Sequence, residues 1–144
     1  MNNLERNKNL VVNYIEAIWN KRRFDELGDY IHPDYVDHSL PAALPANMKG
    51  LKSWITATGQ SFEHRSLIEA QVTEGDKSMI RIRMFLKHIG SWRGIEPTGI
   101  ELTTVGYRYF RIDEGKIIEH WALLDGNAIE NQLKESASGC KIQA

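Results

Sequence analysis

The sequence predicts an α+β domain: three N-terminal helices, then a curved antiparallel sheet, together enclosing a conical pocket. Two observations carry this. Apolar residues recur at three- and four-residue steps as far as Phe62, and at two-residue steps from Ser66 onward. The stretch Glu101 to Asp125 reads as a long hairpin. Its halves are rich in β-branched and aromatic residues, and Asp113-Glu114-Gly115 joins them with a glycine free to take positive φ.

The first helix is predicted over residues 3–20. Leu4, Leu10, Val11, Tyr14, Ile15, Ile18 and Trp19 form its apolar stripe, and Asn2 or Asn3 offers an N-cap. A shorter helix covers Phe24 to Ile31, stopped by Pro33 because a residue before proline avoids the helical region. Asp34 to His38 reads as a short extended segment, and Pro41 and Pro45 mark a loop through Asn47. The third helix spans residues 50–63, with Leu51, Trp54, Ile55, Thr58 and Phe62 on one side.

Strands are predicted over Leu67 to Glu74 and Lys77 to Ile89, separated by Gly75-Asp76. Ile80, Ile82, Met84, Leu86 and His88 share one face of the second, so His88 continues an apolar row. Residues 90–99 form a loop containing Trp92 and Pro97, and the hairpin follows. A last helix covers Gly126 to Glu135. The expected domain is 1–135, with 136–144 a small, polar, mobile tail.

In the second hairpin strand Ile118, His120, Ala122 and Leu124 share a face, and Ile117, Glu119, Trp121 and Leu123 share the other. Arg108 lies on the Gly106, Phe110 and Ile112 face of the first. Both faces are partly apolar, which suggests helices on one side and a partner subunit on the other.

Composition bounds the function. The 144 residues suit one domain with a real core, and the net charge is −1 with no basic run. That argues against a nucleic-acid partner held by phosphate contacts. No apolar run approaches the ~18 residues of a membrane span. The N-terminus lacks a signal-peptide core, so a cytoplasmic protein is the expectation. Cys140 stands alone in the polar tail and has no internal disulfide partner.

Several polar side chains stand among apolar neighbours: Asp37, His38, His88, Arg108 and His120, with Asp125 at the end of the last strand. Histidine exchanges protons near neutral pH, and an inward arginine holds a carboxylate or a developing enolate. A lone histidine on an apolar strand face is more often a bonded core residue than a catalyst, and Arg108 has an equally plain structural reading as a buried ion-pair partner. Strict alternation puts Asp125 opposite His120, so it turns inward only at a bulge or the strand's end. The histidines and aspartates lack the spacing diagnostic of a metal site, and no metal is expected.

Three segments together resemble the SnoaL-like polyketide cyclases of the nuclear transport factor 2-like superfamily. They are Tyr30-Ile31-His32-Pro33-Asp34-Tyr35-Val36-Asp37-His38, the loop from His88-Ile89-Gly90 to Pro97-Thr98-Gly99, and Asp113 through Ile118-Glu119-His120-Trp121. Ala17-Ile18-Trp19-Asn20 fits the same pattern. The resemblance implies a curved sheet wrapped by helices around a cone, and a homodimer or other homo-oligomer. It implies an intramolecular aldol condensation without metal or cofactor, in which an aspartate removes an acidic proton. That aspartate lies two residues after the hairpin histidine, where this chain has Ala122; Arg108 stands where the family has a second histidine.

The expectation is therefore a cofactor-independent enzyme of cyclase or isomerase type, moving a proton next to a carbonyl of a small apolar, oxygenated substrate. His120 or Asp125 is the base, His88 and Arg108 polarise the carbonyl, and Asp37, His38, Tyr14, Trp19 and Trp54 contact the substrate. Two alternatives stand beside it. One is a ligand-binding protein without catalysis, favoured by Ala122. The other is a hydrolase that needs Asp37 and Asp125 on either side of Arg108.

Overall fold

Asn2 opens the first helix by accepting a hydrogen bond from the Glu5 N–H at 2.8 Å. This helix, α1 (Asn3–Tyr14), widens into a π-helical stretch at Ile15–Asn20, where the pattern predicts unbroken α-helix. The wider turn carries Ile15, Ala17, Ile18 and Trp19 all inward. It also lets Trp19 Nε1 donate to the Tyr14 hydroxyl, five residues back, at 3.2 Å. The computed structural model describes residues 2–143, with side chains for residues 2–136.

The second predicted helix is cut short. A 3-10 turn at Phe24–Glu26 leads into the four-residue α2 (Leu27–Tyr30), and Ile31 already belongs to β1 (Ile31–Asp37). Proline restricts only His32 directly; Ile31 is extended because the sheet claims it, pairing it with Ile117. Helix α3 (Met48–Ser61) is capped by Asn47, which accepts from the Gly50 N–H at 3.1 Å, and it buries Leu51 and Ile55. Strand β2 (Phe62–Glu74) follows without a loop, starting earlier than Leu67.

Strands β3 (Lys77–His88), β4 (Glu101–Asp113) and β5 (Lys116–Leu124) form where the two-residue period places them. Glu114 (φ 49°) and Gly115 (φ 74°) make the β4–β5 turn. The sheet order is β1-β5-β4-β3-β2. Neighbours from β2 to β5 run antiparallel, but β1 joins the edge parallel to β5, so the sheet is mixed rather than wholly antiparallel. Pro33 is tolerated there because an edge strand leaves one side unpaired. The β1–β5 pairing is irregular between Ile31 and Val36, then sets Asp37 opposite His120.

A bulge corrects the face assignment in the hairpin. Arg111 pairs with Glu119 and Ile112 with Ile117, so Ile118 is the extra residue. Ile117, not Ile118, therefore enters the core with His120. The helices cover the face bearing Arg108, Phe110 and Ile112. The opposite face leaves Tyr107, Trp121 and Leu123 exposed, and it is the surface the sequence pattern assigns to a partner subunit.

Two apolar clusters result. One joins α1, the π-helical stretch, α3 and the centre of the sheet through Tyr14, Ile18, Ile55, Ile80 and Phe110. The other packs Phe62, Leu86 and Leu102 beneath Ile129 and Leu133 of α4 (Gly126–Gln143). Met84 touches both. The backbone of α4 continues past Glu135, where the pattern ends the helix. The mobile tail expected at 136–144, with Cys140, lies in its side chains outside the described residues from 137 onward.

Gly50 locks the loop after β1 against α3. A Cβ there would sit 1.7 Å from the Pro45 carbonyl oxygen, a backbone atom with little room to yield. The neighbouring Ala46 carbonyl accepts from the Asp37 N–H at 3.1 Å, so this contact also positions the end of β1. Gly50→Ala is expected to lower the unfolding free energy by about 2 kcal/mol, read from the denaturant midpoint.

Candidate active site

Three strands and the π-helical stretch bring their polar groups to one place. Asp37 ends β1, His120 sits opposite it on β5, and Arg108 comes from the next strand, β4, one register step away. All three are almost wholly buried. His120 Nδ1 lies 2.9 Å from Asp37 Oδ2. Its Nε2 lies 3.3 Å from Arg108 Nη1. The imidazole stacks on Phe110, with ring centroids 5.0 Å apart.

Four donors reach the Asp37 carboxylate: the Tyr35 hydroxyl at 2.6 Å, His120 Nδ1–H, and the N–H and hydroxyl of Ser39 at 3.0 and 2.8 Å. Burial pushes the carboxyl pKa up. The His120 bond, with Tyr35 and Ser39, outweighs burial and holds it well below the usual carboxylate range. Asp37 is ionised and accepts only, which assigns the proton to His120 Nδ1. Nε2 then keeps its lone pair and accepts from Arg108, which always donates. Burial lowers the His120 pKa; Asp37 pulls it back up, and the Arg108 charge lowers it again. The imidazole is neutral, with its basic nitrogen toward the cation.

Arg108 is the unusual group. Burial lowers its pKa against the pull of Tyr14, Asp37 and Tyr35, but guanidinium keeps its proton. Its Cζ lies 4.1 Å from the centroid of the Trp19 ring, a cation–π contact. Its Nε has no hydrogen-bond partner, and among the described residues no carboxylate lies within ion-pair distance of it.

Arg108, Trp19, Trp54 and Leu124 separate, and line, two cavities. The smaller, about 220 Å³, contains the polar cluster with Asp37, His120 and Ala122. The larger, about 450 Å³, is lined mainly by apolar side chains, including Phe62, Met84 and Trp92, with Ser61, His64, Ser66 and Arg93 among its polar members. The larger is in the size range that takes small organic ligands.

Not every residue singled out in the sequence reaches this site. His88 Nδ1 accepts from the Thr98 N–H at 3.2 Å and lies 3.0 Å from its hydroxyl, which fastens the 90–99 loop to β3. His88 lines neither cavity. Asp125 is exposed and caps α4, accepting from the Ala128 N–H at 2.9 Å, so no pair of carboxylates flanks Arg108. His38 stacks on Trp121 on the outer face, 4.5 Å between centroids, and bonds Glu119 at 2.8 Å. Tyr14 is buried behind Trp19; burial holds its hydroxyl far above the usual phenol pKa. Trp19 and Trp54 line both cavities.

The sequence pattern missed Tyr35, Ser39 and His64. Tyr35 precedes Asp37 by two residues on one strand, so the two-residue period would have found it. His64 lay where a helix was expected to end. No grouping of three metal-ligating side chains occurs among the described residues, nor is any helix there long and apolar enough to cross a membrane.

A model of the SnoaL-like polyketide cyclase family matches residues 9–133. The chain is 30% identical to nogalonic acid methyl ester cyclase of Streptomyces nogalater, over 72% of this chain and 80% of that one. The chain belongs to the SnoaL-like polyketide cyclase family. It is also 27% identical to aklanonic acid methyl ester cyclase of Streptomyces galilaeus, over 84% and 85% of the two chains. Its fold matches that of TsrD from Streptomyces laurentii with a TM-score of 0.80, at 21% identity over 92% of this chain and 98% of that one. Ala122 lines the smaller cavity and carries no ionisable group.

The protonation states fix a pH response. Burial, aided by the Arg22 and Arg108 charges, lowers His64 to about 4, and His120 is lowered too. Below the ordinary histidine value of ~6.5 the unfolded chain therefore binds more protons than the folded one. Stability is expected to fall as pH drops from ~6.5 toward 4, and the Asp37 contribution to be lost below the ordinary carboxylate range. Urea unfolding at stepped pH checks this: His64→Gln should flatten the upper part of the slope, whereas a flat wild-type profile contradicts the assignment.

Proposed function

We propose that this protein catalyses a cofactor-independent ring closure of an oxygenated polyketide ester, using His120 as the base. The observation that carries the reading is the buried Arg108 guanidinium, open to a cavity, with no carboxylate on it and the His120 lone pair beside it. A buried cation without a counter-charge is costly. An enolate oxygen formed in the cavity supplies the missing negative charge, so the site favours the transition state more than the ground state.

The chemistry follows from the geometry. The substrate's carbonyl oxygen takes over the Arg108 N–H that otherwise rests on His120 Nε2, which frees that lone pair. His120 Nε2 removes the proton from the carbon between two carbonyl groups. The enolate carbon attacks another carbonyl of the same molecule, forming the carbon–carbon bond. The imidazolium returns its proton to the new alkoxide. Asp37 stays ionised throughout, holding Nδ1–H and stabilising the imidazolium. A lowered histidine pKa makes a weak base, which suits a carbon acid flanked by two carbonyls. Trp19 and Trp54 hold the flat apolar body.

The two curated relatives support this class of substrate, since both are named as cyclases of acid methyl esters. Ala122 requires that the proton go elsewhere than in the family pattern, and His120 is the basic group at hand. His120→Ala is expected to lower kcat on a cyclisable methyl ester by ~10²–10⁴-fold, and Arg108→Gln to lower kcat/KM similarly. Asp125→Asn, on the α4 cap, should leave turnover unchanged. Stopped-flow loss of the substrate chromophore measures all three. Turnover by His120→Ala within twofold of wild type would remove this mechanism.

A further inference from the structure

The larger cavity contains a polar group that the proposed chemistry does not use. His64, on β2, lines this largely apolar chamber, whose wall also includes Thr58, Ser61, Ser66 and Arg93, and meets the Trp19 indole edge-on, centroids 6.1 Å apart. Arg108 covers the same indole, with Cζ 4.1 Å from its centroid. The two polar groups therefore lie around one tryptophan, one at the reacting end and one in the chamber. Among the described residues His64 Nε2 is buried without a hydrogen-bond partner, as is His88 Nε2, but Thr98 holds the His88 ring and no side-chain hydrogen bond holds that of His64. Residues that merely fill a core are seldom left this way, because an unpaired buried polar atom destabilises the fold.

We propose that His64 is a specificity-determining residue: it hydrogen-bonds a hydroxyl or carbonyl oxygen on the substrate's distal ring and so selects oxygenated polycyclic substrates over bare ones. This rests on the reading of the cavity as a polyketide site. Burial and the charges of Arg22 and Arg108 keep the imidazole neutral. A neutral ring has one N–H and one lone pair, so it serves either a ligand carbonyl or a ligand hydroxyl. Phe62, Met84, Leu86 and Ile129 in the wall recognise flat hydrocarbon without orienting it. A second polar anchor fixes which end of the substrate meets Arg108 and His120, since a reversed molecule leaves His64 unpaired.

The test uses the full chain and two planar probes, 2-hydroxyanthracene and unsubstituted anthracene, which has no oxygen for His64 to bond. Trp19, Trp54 and Trp92 line the chamber and report binding by fluorescence quenching. Wild type should bind the hydroxylated probe about tenfold more tightly. His64→Phe should bring the two affinities within twofold while keeping that of the bare hydrocarbon. In wild type, the His64 ring nitrogens should shift in ¹H–¹⁵N spectra with the hydroxylated probe only. Preference retained in His64→Phe, or unmoved His64 nitrogens, would overturn the assignment while leaving the cavity reading intact. Failure of wild type to bind either probe would overturn the cavity reading and this assignment with it.

Discussion

The hydrogen bond from His120 Nδ1 to Asp37 is the constraint on which the site depends. It crosses the parallel β1–β5 pair, where the two residues stand opposite each other. It needs β1 to be in the sheet, and it needs the Ala46 carbonyl and Ser39 to hold the strand's end in place. Once made, it decides the tautomer. Nδ1 holds the proton, Nε2 has the lone pair, and the lone pair faces Arg108. Asp37 is thus a positioning residue behind the histidine.

The buried guanidinium follows from the same arrangement. A charge in this position is sustained by the Trp19 face, by the His120 lone pair and by the negative Asp37 beyond it. None of these is a direct ion pair. The cation stays electrostatically under-satisfied, and that reserve is what a developing enolate can use. A tighter partner, such as the carboxylate pair of the hydrolase alternative, would spend it structurally and leave a weaker site.

Much of this was legible in the sequence, and the gaps have physical causes. The period change near residue 62, the hairpin and the inward positions of Arg108 and His120 all follow from side-chain periodicity. The parallel strand did not, because a short segment around Pro33 resembles a loop until a long-range partner claims it. Without that strand, the meeting of Asp37 and His120, 83 residues apart, is invisible. Ile118 defeated the face assignment because a bulge leaves no local signature here. Asp125 and His88 looked functional for the opposite reason: helix caps and loop anchors use the same residue types as catalysis.

The most direct measurement is the tautomeric state of His120, read from the ¹⁵N shifts and couplings of its ring in selectively labelled protein at pH 7. The expected result is a neutral ring protonated at Nδ1, with an unprotonated Nε2 whose resonance moves when Arg108 is replaced by glutamine. A ring protonated at Nε2, or an imidazolium at that pH, would leave no lone pair facing Arg108 and would contradict it.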